Sequence, residues 1–141
     1  MKGLLELVGR LALSAIFLAS GVQKIFNFDA TAELMAKEGV PEPRYLLIAA
    51  IAALIVGSVL LIVGLKTRLG ATMLFCFLAL ATYWFHDFWN LPADMADKVQ
   101  GEQIHFMKNL ALMGAMLFVI ERGAGAMSLD AKRRAHGHGH K

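Results

Sequence analysis

Long apolar stretches alternate with short polar ones along the chain. Four stretches stand out, at residues 4–26, 45–65, 69–89 and 104–120. The second contains no charged side chain, the third is uncharged until His86, and the fourth carries only Lys108. A helix of 21 residues is about 31 Å long, which matches the thickness of a bilayer core. The pattern predicts an all-α, integral membrane four-helix bundle.

The first stretch has a competing interpretation as a signal peptide, because Lys2 precedes an apolar centre. However, Glu6 and Arg10 interrupt its beginning, and no A-x-A-like cleavage site follows it. We therefore expect a retained helix. Four spans then place both termini on the same side of the membrane.

Composition supports a membrane protein in contact with the lipid bilayer. Hydrophobic residues make up 57% of the chain and charged residues 18%, whereas soluble domains have about 45–50% and about 25%. The single cysteine, Cys76, excludes a dithiol relay and a cysteine-bound cluster, and its apolar neighbours predict a small packed residue. The net charge of +3 is spread along the chain, so no nucleic-acid-binding face is predicted.

The distribution of positive charge predicts the orientation. Nine Lys and Arg residues fall on the side of the termini: Lys2, Arg10, Lys66, Arg68, Arg122, Lys132, Arg133, Arg134 and Lys141. Five fall on the other side: Lys24, Lys37, Arg44, Lys98 and Lys108. The positive-inside rule then places both termini in the cytoplasm.

The segments outside the spans also carry signals. Residues 29–41 predict a short amphipathic helix in the first outer loop, with Asp29 as its N-cap and a stop at Gly39 and Pro41. We expect its apolar residues to lie on the membrane surface. The bundle is expected to end at residue 122, and residues 123–141 predict a basic, mobile cytoplasmic tail. Histidines 136, 138 and 140 are expected to form no defined metal site.

Ionisable residues near the ends of the spans require an explanation, because such residues are costly in a membrane. Helical spacing puts three of them on one side of the third helix and three on one side of the fourth. Together with the end of the first helix, the predicted cluster comprises Lys24, Tyr83, His86, Asp87, His105, Lys108 and Asn109. Alternating topology predicts that all seven lie at one depth in the outer leaflet. Separately, Glu6 and Arg10 predict a structural ion pair at i,i+4.

Three interpretations of this cluster stay open. It is an interfacial belt that anchors the span ends, a site for a quinone or phenol, or a haem site that uses His86 and His105. In the second case Lys24 and Lys108 would hold an oxygen and Tyr83 and Asn109 would orient the ligand. His86 and Asp87 would exchange protons, and they are the candidate catalytic residues.

Several motifs in order resemble the DoxX family of small bacterial inner-membrane proteins. They are Arg10-Leu-x-Leu, Phe17-Leu-x-Ser20-Gly21-x-x-Lys24-Ile-Phe, Gly64-Leu-Lys-Thr67-Arg68-Leu, Phe85-His86-Asp87-Phe88-Trp89, Phe106-Met-Lys108-Asn109-Leu-Ala-Leu-x-Gly114 and Gly125-x-x-Ser128-Leu-Asp130. The resemblance covers residues 10–130. It implies a multi-pass protein of the bacterial inner membrane with four helices.

The resemblance also implies a range of activities. Some family members resemble subunits of a thiosulfate:quinone oxidoreductase, and others are associated with quinone resistance or with a membrane oxidoreductase complex. Here residues 53–58 lack the carboxylate that members often carry in the second span. The leading hypothesis is a redox-linked component that binds a quinone and acts with a soluble oxidoreductase. The alternative is a non-enzymatic scaffold for such a complex, and a homo-oligomer is compatible with both.

Overall fold

The computed structural model describes residues 2–92 and 94–137. Within them all regular structure is helical: α1 (Lys2–Phe26), α2 (Phe28–Lys37), α3 (Pro43–Val63), α4 (Thr67–Phe85), a 3₁₀ turn (Phe88–Asn90), α5 (Ala96–Arg122) and α6 (Leu129–Gly137). Helices α1, α3, α4 and α5 are long and apolar enough to cross a membrane. The prediction of four membrane-spanning helices is confirmed.

Two span boundaries differ from their predicted positions at the same end of the bundle. Helix α5 begins at Ala96 instead of residue 104, because its polar first turns contain no proline, Gly101 is tolerated, and Asp97 interacts favourably with the positive end of the helix dipole. Helix α4 ends at Phe85 instead of residue 89. Beyond it, the side chain of Asn90 donates to the Asp87 carboxylate at 2.9 Å and supports the 3₁₀ turn.

The short helix α2 follows α1 almost without a break. Its N-cap is Asn27, so the prediction of Asp29 as N-cap is wrong; Asp29 lies in the first turn and pairs with Arg44. The stop is confirmed, since Gly39 adopts a φ of 75°. The apolar face of α2 packs inward, with Ala32 and Met35 buried in a small core together with Val40 and Leu47.

The spanning helices pack in the order α1, α3, α4, α5, each against the next. The main core contains Phe17, Leu54, Leu61, Ala71, Leu74, Leu78 and Met116. Helices in lipid gain little from hydrophobic contact with one another and associate through close backbone approach. Here α3 and α4 meet at Gly57 and Gly70, where a Cβ added to Gly70 would lie 2.9 Å from the carbonyl oxygen of Gly57.

We call the two ends of the bundle the termini end and the loop end. The termini end comprises the start of α1, the α3–α4 turn, the end of α5 and residues 123–137. The loop end comprises the end of α1, α2, the start of α3, the end of α4 with residues 86–92, and the start of α5. Which end faces the cytoplasm stays a prediction.

At the termini end the predicted ion pair between Glu6 and Arg10 is not formed in the described part of the chain. The Glu6 carboxylate instead accepts a hydrogen bond from the backbone N–H of Ala126 at 3.0 Å. Arg10, only 4% exposed, donates to the carbonyl oxygens of Leu61, at 2.8 Å, and Met127. The carbonyl oxygen of Leu61 also accepts from the backbone N–H of Gly64 at 3.2 Å, so Arg10 adds a charged donor at the end of α3 and links it to the segment after α5.

The segment after α5 packs against the bundle before α6 begins. Ala124 and Ser128 are buried, and the Asp130 carboxylate accepts hydrogen bonds from the backbone N–H groups of Lys66 and Thr67 at 2.9 and 3.1 Å. Burial acts to raise the pKa of Asp130, but these bonds, the Thr67 hydroxyl and the charge of Arg134 outweigh it and lower the pKa. The predicted tail was expected to begin at residue 123, but residues 124–130 pack against the bundle.

The remainder of the tail extends beyond this packed segment. In α6, His136 lies 2.9 Å from the carbonyl oxygen of Lys132. The other two histidines of the predicted tail, at positions 138 and 140, lie outside the described residues. Mobility and a cytoplasmic location of the tail stay predictions.

Candidate ligand cavity

A cavity of about 690 Å³ lies among the helices and reaches the loop end. Most of its lining is apolar, with small alanines of α3 on one side and aromatic residues of α4 on another. Lining residues include Ile16, Phe17, Ala49, Ala50, Ala53, Met73, Phe77, Leu80, Trp84 and Phe85. The middle of α2 contributes Leu34 and Met35 to the cavity wall at the loop end. Such a cavity suits a largely hydrophobic molecule.

Polar side chains line the same cavity at the loop end. They are Ser20, Lys24, Thr31, His86, Lys108 and Asn109. The Lys24 ammonium donates to the hydroxyl of Ser20 one turn earlier at 3.0 Å and lies 5.8 Å from the centre of the Phe77 ring. Among the described residues no carboxylate forms an ion pair with Lys24. Its positive charge therefore faces a mostly apolar space with only a hydroxyl and a ring as partners.

His86 forms an ion pair or hydrogen bond that links the end of α4 to the start of α5. Its Nδ1 lies 2.7 Å from Oε2 of Glu102, and both side chains are partly buried. A carboxylate oxygen accepts a hydrogen bond from an imidazole N–H, so the contact suits a His86 ring with its hydrogen on Nδ1. This contact holds the imidazole at the rim of the cavity.

Glu102 was not identified by the sequence reasoning, because residues 96–103 were not assigned to a helix. Once α5 is extended to Ala96, Glu102 precedes His105 and Lys108 at successive intervals of three residues and shares their side of the helix. The spacing was therefore a usable signal. Asp87 is the predicted proton-exchanging partner of His86, but in the structure the carboxylate in contact with the His86 ring is that of Glu102; proton exchange itself stays a prediction.

A second histidine lies against the first. The rings of His86 and His105 stack with their centres 5.3 Å apart and an angle of 20° between planes, and Lys108 Nζ lies 3.5 Å from Nδ1 of His105. Two imidazoles that bind a haem iron approach it from opposite faces of the porphyrin. The stacked arrangement does not fit that geometry, so His86 and His105 do not form a haem site here.

Asn109 connects α4 and α5 beside the cavity. Its amide donates to the hydroxyl of Thr82 at 3.0 Å, and both side chains are buried. Because this bond fixes the side chain, Asn109 presents a preset amide to the cavity. A preset amide can orient a polar ligand atom without first losing rotational freedom.

Three predicted residues do not line the cavity: His105, which stacks on His86, Tyr83 and Asp87. Tyr83 is 71% exposed and makes an edge contact with Trp84, on a part of α4 that does not line the cavity. Asp87 follows the end of α4, so the helical spacing no longer applies to it, and its carboxylate accepts from Asn90. The structure therefore brings together Lys24, His86, Lys108 and Asn109 around the cavity.

Cys76 differs from the prediction of a packed core residue. The side chain is exposed and lines the cavity midway along α4. It is the only cysteine in the sequence. Among the residues that the structure describes, no three His, Cys, Asp or Glu side chains are grouped to hold a metal ion.

The four membrane-spanning helices define a polytopic membrane protein, and sequence comparisons identify its family. The DoxX family model matches residues 5–87, so the chain belongs to the DoxX family. This match confirms the resemblance drawn from the motifs. It includes Arg10, Gly21, Lys24 and His86, whereas α5 lies beyond it.

Individual relatives extend the similarity over nearly the whole chain. The chain is 35% identical to the inner membrane protein YphA of Escherichia coli strain K12, covering 93% of this chain and 91% of the relative. It is 30% identical to the inner membrane protein YqjF of the same organism, covering 88% of each. It is also 25% identical to a surfeit locus protein 4 homolog of Schizosaccharomyces pombe, covering 38% of that protein.

No solved structure matches the chain. The family and the four membrane-spanning helices make it a multi-pass inner-membrane protein.

Proposed function

We propose that this protein binds a quinone or a related aromatic in the cavity and acts as the membrane component of a redox system with a partner oxidoreductase. The observation that carries the proposal is the composition of the cavity. Two ammonium groups, an imidazole and an amide lie at one end of a space that is otherwise apolar and aromatic. A quinone has the matching distribution, with polar oxygens on a ring and an apolar tail.

The polar end supplies the groups that quinone chemistry needs. Reduction of a quinone to a hydroquinone takes two electrons and two protons, and negative charge develops on the oxygens. Lys24 and Lys108 would stabilise that charge, and Asn109 would orient the ring. The His86–Glu102 pair would exchange protons, since histidine changes charge near neutral pH. The partner oxidoreductase would exchange the electrons.

The apolar part of the cavity suits the tail of a membrane quinone. Its lining on α4 extends from Thr72 to Phe85, a length of about 20 Å at 1.5 Å per helical residue. Ile16 and Leu80 line the cavity and are also exposed on the outer surface of the bundle, where lipid would lie. A ligand dissolved in the bilayer would therefore reach the cavity from the side.

The proposal is tested on protein purified from membranes in mild detergent. The organic extract is analysed for quinones, and binding of a decyl-substituted benzoquinone is titrated. His86→Ala and Lys108→Ala, each made separately, should weaken binding about tenfold, which corresponds to the loss of one hydrogen bond to a charged group. Lys98→Ala is the matched control, because Lys98 is exposed on the same helix and does not line the cavity.

Unchanged quinone affinity in both variants would contradict the site assignment. Equal loss of affinity in Lys98→Ala would contradict it as well, since that result indicates a general effect of surface charge. Circular dichroism and gel filtration of each variant separate loss of binding from loss of fold.

The second candidate function is a non-enzymatic scaffold that recruits a soluble oxidoreductase. One observation favours it: among the described residues, no three His, Cys, Asp or Glu side chains are grouped so that they could hold a redox metal. A scaffold predicts that deletion of residues 131–141 or of loop segments abolishes complex formation, while His86 and Lys108 can be replaced freely. Association of the chain with itself is a further prediction, to be checked by the mass of the detergent complex.

A further inference from the structure

We infer that the termini end carries a binding site for the phosphate group of an anionic phospholipid. A pocket of about 360 Å³ lies there, between the start of α4, the end of α5 and α6. Its lining consists of Arg68, Gly123, Asp130, Arg133 and Arg134. This site is separate from the ligand cavity and does not depend on the proposed function.

The charge of the pocket favours an anion. Three guanidinium groups line it against one carboxylate, and although Arg134 is engaged with Asp130, Arg68 and Arg133 leave an excess of positive charge. The Asp130 oxygens already accept bonds from the backbone N–H groups of Lys66 and Thr67 and from the Thr67 hydroxyl, at 2.9, 3.1 and 3.2 Å. The carboxylate is therefore engaged in holding the chain together. A guanidinium offers five N–H donors in a plane and matches a phosphate through paired hydrogen bonds.

The surrounding backbone positions the arginine of α4. Arg68 donates from Nη2 to the carbonyl oxygen of Glu121 at 2.9 Å, near the end of α5. Gly123 is the C-cap of α5, and a Cβ added to it would lie 3.8 Å from Nε of Arg68. The guanidinium is thus fixed at the rim of the pocket before any ligand binds, which lowers the entropy cost of binding.

The position along the bundle favours a lipid over a dissolved phosphate. The pocket lies where α4 begins and α5 ends, at the depth of lipid headgroups. On the membrane side of it, Leu69 is 52% exposed and Phe118 is 67% exposed. Acyl chains attached to a phosphate in the pocket would cover such side chains. Basic pockets at the ends of membrane helices are known to bind anionic headgroups.

The test compares lipids on the full chain in detergent by native mass spectrometry. Dioleoylphosphatidylglycerol, dioleoylphosphatidylcholine and inorganic phosphate are titrated against the same preparation. We expect phosphatidylglycerol to bind more tightly than phosphatidylcholine, and Arg68→Gln and Arg133→Gln each to weaken its binding about fivefold, the equivalent of about 1 kcal/mol per basic residue. Lys132→Gln removes one charge from α6 outside the pocket and should change affinity less than twofold.

Three results would overturn the inference. One is equal affinity for the two lipids, and another is a loss in Lys132→Gln as large as that in Arg133→Gln, which indicates diffuse attraction only. The third is inorganic phosphate that displaces phosphatidylglycerol at similar concentration, which would assign the pocket to a soluble anion. If Arg68→Gln loses its fold with the bond to Glu121, Arg133→Gln alone decides the question, since Arg133 is exposed on α6.

Discussion

The two ends of the bundle both contain charged side chains near apolar spans, but they use them differently. At the termini end Glu6, Arg10 and Asp130 all bond to backbone groups of segments distant in sequence. At the loop end Lys24 and Lys108 line a cavity, and no carboxylate of the described chain pairs with either.

This difference separates structural from functional charge. A charge that bonds to backbone carbonyls or N–H groups of a distant segment holds that segment in place, and its removal weakens the fold. A charge beside an apolar cavity adds little to the stability of the fold, and removing it from water has a free-energy cost. Its retention is explained by a ligand that supplies the missing partner. The following changes test this division.

The largest effect is expected from Arg10→Ala. Its loss leaves the Leu61 carbonyl with only the Gly64 N–H, removes the donor to the part-buried Met127 carbonyl and empties a buried side-chain position, so we expect about 3 kcal/mol of destabilisation. The measurement is reversible unfolding in mixed micelles. Arg44→Ala is the control, because its ion pair with Asp29 is exposed and should be worth less than about 1 kcal/mol. Equal effects of the two changes would contradict the assigned role of Arg10.

A somewhat smaller effect is expected from Gly64→Ala at the α3–α4 turn. Gly64 has a φ of 67°, and an added Cβ would overlap the guanidinium of Arg10 and the side chain of Ser128. We expect a loss of about 2 kcal/mol in the free energy of unfolding. Gly114→Ala in α5 is the matched control, since nothing lies within 4 Å of the added Cβ. That control should be neutral or stabilising by up to about 1 kcal/mol.

The loop end should respond in the opposite way. Lys24→Met removes a charge that has only the Ser20 hydroxyl and the Phe77 ring as partners. We expect the free energy of unfolding to stay within about 0.5 kcal/mol or to rise, while quinone affinity falls about tenfold. Both quantities are measured on the same preparation. A strongly destabilised variant that binds quinone normally would make Lys24 a structural residue.

The smallest effect is a dependence on pH at the termini end. The pKa of Asp130 is lowered in the folded protein, because burial, which would raise it, is outweighed by the bonds from Thr67 and Lys66 and by Arg134. A lowered folded pKa gives stability that is fully present above the ordinary aspartate pKa and is lost as pH falls through the folded value. Asp130→Asn should remove this part of the acid dependence of unfolding. An unchanged acid dependence would show that Asp130 does not contribute to it.

The spans were predictable because their signal is local. Residues 45–65 contain no charge, and such a stretch has few alternatives to a membrane helix. The polar first turns of α5 carry no such signal, so the helix start was placed at residue 104 and Glu102 was missed. The end of α4 was placed too late because the aromatic residues Phe88 and Trp89 continue the apolar stretch, so Asp87 was assigned to a helix that ends at Phe85.

The site was predictable only as far as depth determines contact. Lys24, His86 and Lys108 lie together because alternating spans bring their ends to one level. Tyr83 lies at that level too, but the rotation of α4 about its axis directs it away from the cavity, and rotation depends on packing. The prediction of a Glu6–Arg10 ion pair was wrong, because backbone acceptors more than 50 residues away in sequence bind the Arg10 guanidinium.

The most direct test of the division between the two ends uses Cys76 as a probe. It is the single cysteine, and it lines the cavity. The rate of its alkylation by N-ethylmaleimide is measured in lipid nanodiscs, with and without a decyl benzoquinone whose fully substituted ring leaves no position for thiol addition. Occupation of the cavity by quinone predicts a rate at least about fivefold slower at saturating ligand. An unchanged rate would contradict quinone binding in this cavity.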